Sequence, residues 1–158
     1  MCYTNEIMAT GEDFRSIAEK RLKTVYVLMS NQEWGVAVYL MGFVLECMLK
    51  ASACKILNLK VYPEENKITK NQQITGYFRT HDFDMLLVVS GMSDIFELSG
   101  TGASSWSGFT QEYTKFGKWT DLRYNILTEY DESTVRLLYD FLTKEPDGII
   151  PLIKARNI

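Results

Sequence analysis

Six side chains in this sequence are of types that bind ligands or move protons: Glu46, Lys50, His81, Asp82, Arg123 and Tyr124. His81 is the only histidine, and histidine is the residue type that exchanges a proton near neutral pH, so any general acid or base role for an imidazole falls to it. The simpler reading of His81 is a residue at a helix start, satisfied by backbone contacts. Glu46 and Lys50 stand four residues apart with the acid first, the favourable order on a helix. On a solvated face such a pair contributes only a few tenths of a kcal/mol, roughly. Glu46, however, sits in an apolar run, and a buried carboxylate must be partnered or neutralised. Lys50 is one partner within reach. Arg123 is the better one on chemistry, because its planar fork holds a carboxylate bidentately. Arg123-Tyr124, just after Trp119, brings a guanidinium and a phenol beside an indole, a set that pairs with a phosphate and stacks on a nucleobase. Read more simply, it anchors a loop to the domain. Lys55, Lys60, Lys67, Lys70, Lys115 and Lys118 make at most a weak basic rim. A structural core ion pair and a functional polar cleft both remain open for the Glu46 set.

The elements that carry these residues are helical. Phe14, Ile17, Ala18, Leu22, Val25, Tyr26 and Met29 recur at spacings of three and four, which predicts an amphipathic helix from Glu12 to Ser30. A second helix is expected from Gln32 to Asn58. It has no charge between Gly35 and Leu45 and is apolar nearly all round, the pattern of a central, buried helix. Gly42 in its middle costs about 1 kcal/mol in helix propensity, which points to the close approach of a neighbouring helix. Asn58 to Phe78 is polar, lysine-rich and contains Pro63, and reads as a loop with room for one turn of helix. Thr80 or Asp82 caps a short third helix that Gly91 ends. Ser93 to Leu98 reads as another short helix and Ser99 to Gly108 as a Gly/Ser loop. Thr110 to Gly117 is a weak helix or a helical turn packing Tyr113 and Phe116, Trp119 to Asn125 follows, and Glu132 to Thr143 is a strong helix. Glu145-Pro146-Asp147-Gly148 kinks or ends it, and Ile149 to Ile158 continues as a last helix. The expected fold is all-α, an up-and-down bundle of four to five helices.

Composition sets the outer limits. The chain has 158 residues, 46% hydrophobic and 23% charged, which fits one folded domain spanning 1–158 and excludes intrinsic disorder. The net charge of −3 disfavours a dedicated duplex-DNA binder, though not a small basic groove. Three cysteines, Cys2, Cys47 and Cys54, imply no disulfide framework. Cys47 and Cys54, two turns apart on one helix, would stand about 10 Å apart, too far to pair. One histidine and no Cys-x-x-Cys leave no metal-ligand set, and no cofactor is expected. The start of the chain has no signal-peptide pattern. The apolar stretch Trp34 to Leu49 is short for a membrane span and carries Glu46 inside it. A cytoplasmic protein that does not enter a membrane is expected.

Three motifs in order resemble the HEPN family of small helical bundles. Ala37-x-Tyr39-Leu40-x-Gly42-Phe43-x-Leu45-Glu46-x-x-Leu49-Lys50-Ala51 is similar to the family's central helix with its Glu-x-x-x-Lys. His81-Asp82-Phe83-x-x-Leu86 is similar to its His-Asp-Leu helix start, and Trp119-x-x-x-Arg123-Tyr124 to the Arg-Tyr element before its last helix. The likeness covers roughly residues 12–143. It implies a four- or five-helix bundle, a homodimer, and either a metal-independent ribonuclease or a module that binds nucleotide or RNA. It further implies a toxin–antitoxin or defence setting with a nucleotidyltransferase-like antitoxin partner. The family's ribonucleases carry Arg-x(4–6)-His. Here Arg123 is followed by Tyr124, Asn125, Ile126, Leu127, Thr128, Glu129 and Tyr130, with no histidine. The resemblance therefore favours a non-catalytic binding module in which Glu46, Lys50, His81, Asp82, Arg123 and Tyr124 form a polar cleft for a phosphate-bearing ligand. The alternatives are a divergent ribonuclease using His81 with Arg123, and a structural or partner-binding bundle with buried ion pairs.

Overall fold

Thr10 and Asp13 start the first helix by a reciprocal cap: the Asp13 N–H donates to Thr10 Oγ1 at 3.1 Å, and the Thr10 N–H donates to Asp13 Oδ2 at 2.8 Å. Helix α1 (Gly11–Ser30) buries Phe14, Ala18, Val25 and Met29 along one stripe. Residues 31–33 then reverse the chain, with Gln32 in the left-handed region at φ 61°. Helix α2 (Trp34–Ile56) returns against α1, as so short a connection requires. The computed structural model describes residues 9–63, 76–97, 100–124 and 129–157. The stretch 64–75, with Lys67 and Lys70 of the expected basic rim, lies outside the described residues, as do Ser99, Asn125 and the N-terminal residues 1–8.

From Val44 to Cys54 every residue of α2 is buried, which takes in three turns and every direction around the axis. Its charge-poor sequence is therefore explained by position: α2 is the axis on which the other helices pack. By length and hydropathy alone α2 is long and apolar enough to cross a membrane, yet 78% of its most apolar window is buried inside the bundle. The remaining elements are α3 (Phe83–Val89), α4 (Ser93–Phe96), α5 (Ala103–Thr114), α6 (Trp119–Leu122), α7 (Glu132–Thr143) and α8 (Ile149–Asn157). Helices α3, α6, α7 and α8 all contact α2. There is no strand among the described residues, so the all-α expectation holds. The described helical segments outnumber the expected four to five because three pieces of seven residues or fewer, α3, α4 and α6, are interposed between longer ones.

One expectation is corrected. Ser99 to Gly108 is not a loop throughout, because α5 begins at Ala103 and runs to Thr114. Glycine and serine mask its periodicity, but Trp106, Phe109 and Tyr113 fall at spacings of three and four and are all buried. Their burial outweighs the weak helix propensity of the serines. Gly42 has the expected reason. A Cβ placed there would lie 2.8 Å from Trp119 Cβ and would also collide with the Tyr113 hydroxyl. That hydroxyl donates to the Val38 carbonyl at 2.7 Å, tying α5 to α2. The glycine thus lets α5 and α6 come down on α2 at the level where Trp119 must sit.

Candidate functional site

Glu46 lies on the central helix one turn before Lys50, and both side chains are buried, 5% and 4% exposed. The Lys50 ammonium stands 3.0 Å from Glu46 Oε1. It also lies 5.4 Å from the centroid of the Phe14 ring and 5.0 Å from that of Tyr62, where aromatic faces add an attraction for the cation. The second carboxylate oxygen, Oε2, is 2.9 Å from Nδ1 of His81. His81 is 57% exposed. The three residues therefore form a chain of charge and hydrogen bonds from the core to the surface.

His81 sits just before α3, where local capping fixes the backbone. Asp82 is the N-cap, its Oδ1 accepting from the Met85 N–H at 2.9 Å, and Thr80 Oγ1 accepts from the Asp82 N–H at 3.0 Å. Trp119 holds His81 twice. Its indole Nε1 donates to the His81 carbonyl at 3.2 Å, and its ring meets the imidazole edge-to-face at 5.7 Å. Trp119 is itself packed by Tyr39 and Phe43 of α2.

His81 and Asp82 open onto a cleft of about 760 Å³ between the start of α3, the second half of α5 and the turn into α6. Phe83, Tyr113 and Trp119 give it aromatic walls; Thr110, Gln111, Thr114 and Thr120 add hydroxyls and an amide; Asp84 and Lys118 add charge. Such a volume lies within the range of about 300–1,000 Å³ common for small-ligand sites. Tyr113 stays neutral, because burial pushes its phenol well above the ordinary value of 10. No group of three or more metal-binding side chains occurs among the described residues.

The structure brings together Glu46, Lys50, His81 and Asp82 of the expected set. It leaves Arg123 and Tyr124 apart. Arg123 does not reach Glu46: both residues of the pair are exposed, and the guanidinium lies 4.8 Å over the Tyr124 ring. The expectation of an Arg123 fork on Glu46 is thus corrected in favour of Lys50 and His81. The physical reason is that four-residue α6 turns Trp119 and Leu122 inward, and the chain leaves the helix at Arg123. The simple reading of His81 is also corrected, since its ring is held by a carboxylate rather than by backbone. Gln111, Thr110, Thr114 and Thr120 are cleft residues that the sequence does not single out. The first three lie on α5 and Thr120 on the short α6, where nothing in the residue pattern marks them as lining a cleft, and Lys118 shows only as part of the weak rim. No protein-family model, no curated protein and no solved structure matches this chain.

Proposed function

We propose that this chain is a HEPN-like module whose cleft beside His81 binds a nucleotide, an RNA segment or another phosphate-bearing ligand without turning it over. One observation carries the reading: an imidazole more than half exposed at the mouth of a cleft, anchored from behind by a buried, ion-paired carboxylate. The tie satisfies the buried carboxylate and at the same time holds the imidazole in one place beside the cleft. Lys118 is the cation that lines the cleft and is the partner for phosphate. The threonine hydroxyls and the Gln111 amide supply donors and acceptors for the rest of the ligand. Asp82 and Asp84 oppose a bare anion and favour a ligand that also offers hydroxyl or N–H groups, as a nucleoside does. Calorimetric titration with AMP and with a short RNA tests the reading, using wild type, His81→Ala, Lys118→Ala and Arg123→Ala. Binding is expected to weaken about tenfold or more in the first two variants, the equivalent of about 1.4 kcal/mol, and to change little in the third. Affinity unchanged in both His81→Ala and Lys118→Ala would exclude the cleft as the binding site.

The oriented imidazole also favours a second reading, a divergent metal-independent ribonuclease with His81 as general base. Arg123 lies outside the cleft lining, so charge on the reacting phosphate would fall to Lys118. RNA cleavage that persists in excess chelator and disappears in His81→Ala would establish it. The resemblance adds a homodimer and a nucleotidyltransferase-like antitoxin partner to the proposal. Light scattering on the purified chain tests the dimer.

A further inference from the structure

The hydrogen-bond inventory of Glu46 decides which ring nitrogen of His81 carries the proton. A carboxylate has no proton to donate, so both of its oxygens accept. Oε1 takes the Lys50 ammonium at 3.0 Å. Oε2, 2.9 Å from Nδ1, can only be receiving an N–H from the ring. The neutral imidazole therefore carries its single proton on Nδ1. Nε2 is left with a bare lone pair on the opposite edge of the ring, away from Glu46. In water a histidine side chain prefers the other form, with the proton on Nε2, so the buried carboxylate inverts the ordinary preference. The ring cannot easily swing away, because Trp119 packs on it and binds the carbonyl of the same residue.

We propose that Glu46, held by Lys50, is a positioning residue that fixes His81 as the Nδ1–H tautomer, and that the cleft's ligand meets Nε2 with a hydroxyl or N–H donor. The first half stands on the geometry alone; the second rests on the phosphate-ligand reading above and sharpens it. A lone pair repels a phosphate oxygen. The phosphate must then go to Lys118, while a sugar hydroxyl or base N–H of the same molecule goes to His81. That selects a nucleotide over inorganic phosphate. It also makes Nε2 the atom that would accept a proton from a ligand hydroxyl. In that event the O–H bonding pair stays on oxygen, and the imidazolium formed would face the Glu46 carboxylate.

The chain's single histidine makes the test unambiguous. Long-range proton–nitrogen correlation spectra of the full chain, labelled with ¹⁵N-histidine, report which ring nitrogen is protonated. In mildly alkaline buffer, where an imidazole carries one proton, the wild type is expected to show that proton on Nδ1. A proton on Nε2, as in a free side chain, overturns the proposal without need of any variant. In Glu46→Gln, Lys50 claims the new amide oxygen and the amide NH₂ faces Nδ1, so the proton is expected to move to Nε2. An unchanged tautomer in Glu46→Gln overturns the role of Glu46. AMP is expected to shift the Nε2 resonance and inorganic phosphate to leave it in place; equal shifts overturn the donor assignment. A complete failure of AMP to bind sinks the phosphate-ligand reading and the ligand half of this proposal, while the tautomer result still stands or falls by itself.

Discussion

Replacing Lys50 by methionine removes the cation 3.0 Å from Glu46 and leaves that carboxylate, 5% exposed, with His81 as its remaining partner. Breaking a buried ion pair from one side costs about 3–5 kcal/mol, because the other charge stays buried without compensation. Whole-domain stability is roughly 5–15 kcal/mol, so this is a large share. For a chain of this length each kcal/mol moves the midpoint by about 2–4 °C, giving a fall of about 6–20 °C. The neighbouring Phe14 and Tyr62 rings accommodate the methionine, so cavity formation adds little. Removing both charges together is a different perturbation, since buried pairs replaced by apolar residues are often neutral. Glu46→Leu/Lys50→Met is therefore expected to recover most of the loss, a coupling of about 2–3 kcal/mol. Urea and thermal unfolding followed by circular dichroism, on wild type, both single variants and the double, complete the cycle. A buried, mutually dependent pair is ruled out by either of two results. One is Lys50→Met melting within about 2 °C of wild type, well short of the expected fall; the other is single losses that simply add in the double variant.

Other contacts set their own expectations. Gly42→Ala gains about 1 kcal/mol of helix propensity but overpacks against Trp119 Cβ and the Tyr113 hydroxyl, which costs about 1–3 kcal/mol. Since Trp119 Cβ is not the free end of a flexible chain, a net loss of stability is expected in urea unfolding, together with weaker AMP binding through a displaced His81. Desolvation raises the Tyr113 phenol well above 10 in the folded chain. Its contribution is thus complete below that pH and is lost as rising pH ionises the unfolded form, so Tyr113→Phe should flatten the alkaline fall in unfolding free energy; an unchanged slope would count against it. Burial pushes the Cys54 thiol up to about 11, so in mildly alkaline buffer it should alkylate slowly with iodoacetamide until denaturant is added, as peptide mass mapping would show.

The long elements are legible in the sequence because their apolar spacing is regular and their burial is nearly complete. The α1 stripe, the all-round burial of α2 and the close approach at Gly42 are each direct consequences of residue pattern. Helix α5 is only half legible: Thr110 to Gly117 reads as a weak helix, but the serines and the glycine of the first half carry a loop signature, and tertiary packing of Trp106, Phe109 and Tyr113 makes the whole a helix. The cleft suffers accordingly, because α5 supplies one of its walls. Lys50 as the partner of Glu46 is legible from helix geometry. His81 as the second partner is not: it comes from 35 positions away, and side-chain chemistry alone prefers the Arg123 fork. What decides against Arg123 is the length of α6, whose four residues end before the guanidinium can turn inward. Tyr124, 76% exposed, goes outward with it.

Whether the cleft beside His81 is where this chain meets its ligand can be read from amide chemical shifts of the full chain during titration with AMP. Saturable shifts concentrated at residues 80–84 and 110–120, the segments that line the cleft, are the expected result, and they should disappear in Lys118→Ala. Shifts that cluster on other faces of the bundle, or none at all as AMP is raised to saturating levels, would mean that the cleft is not the binding site.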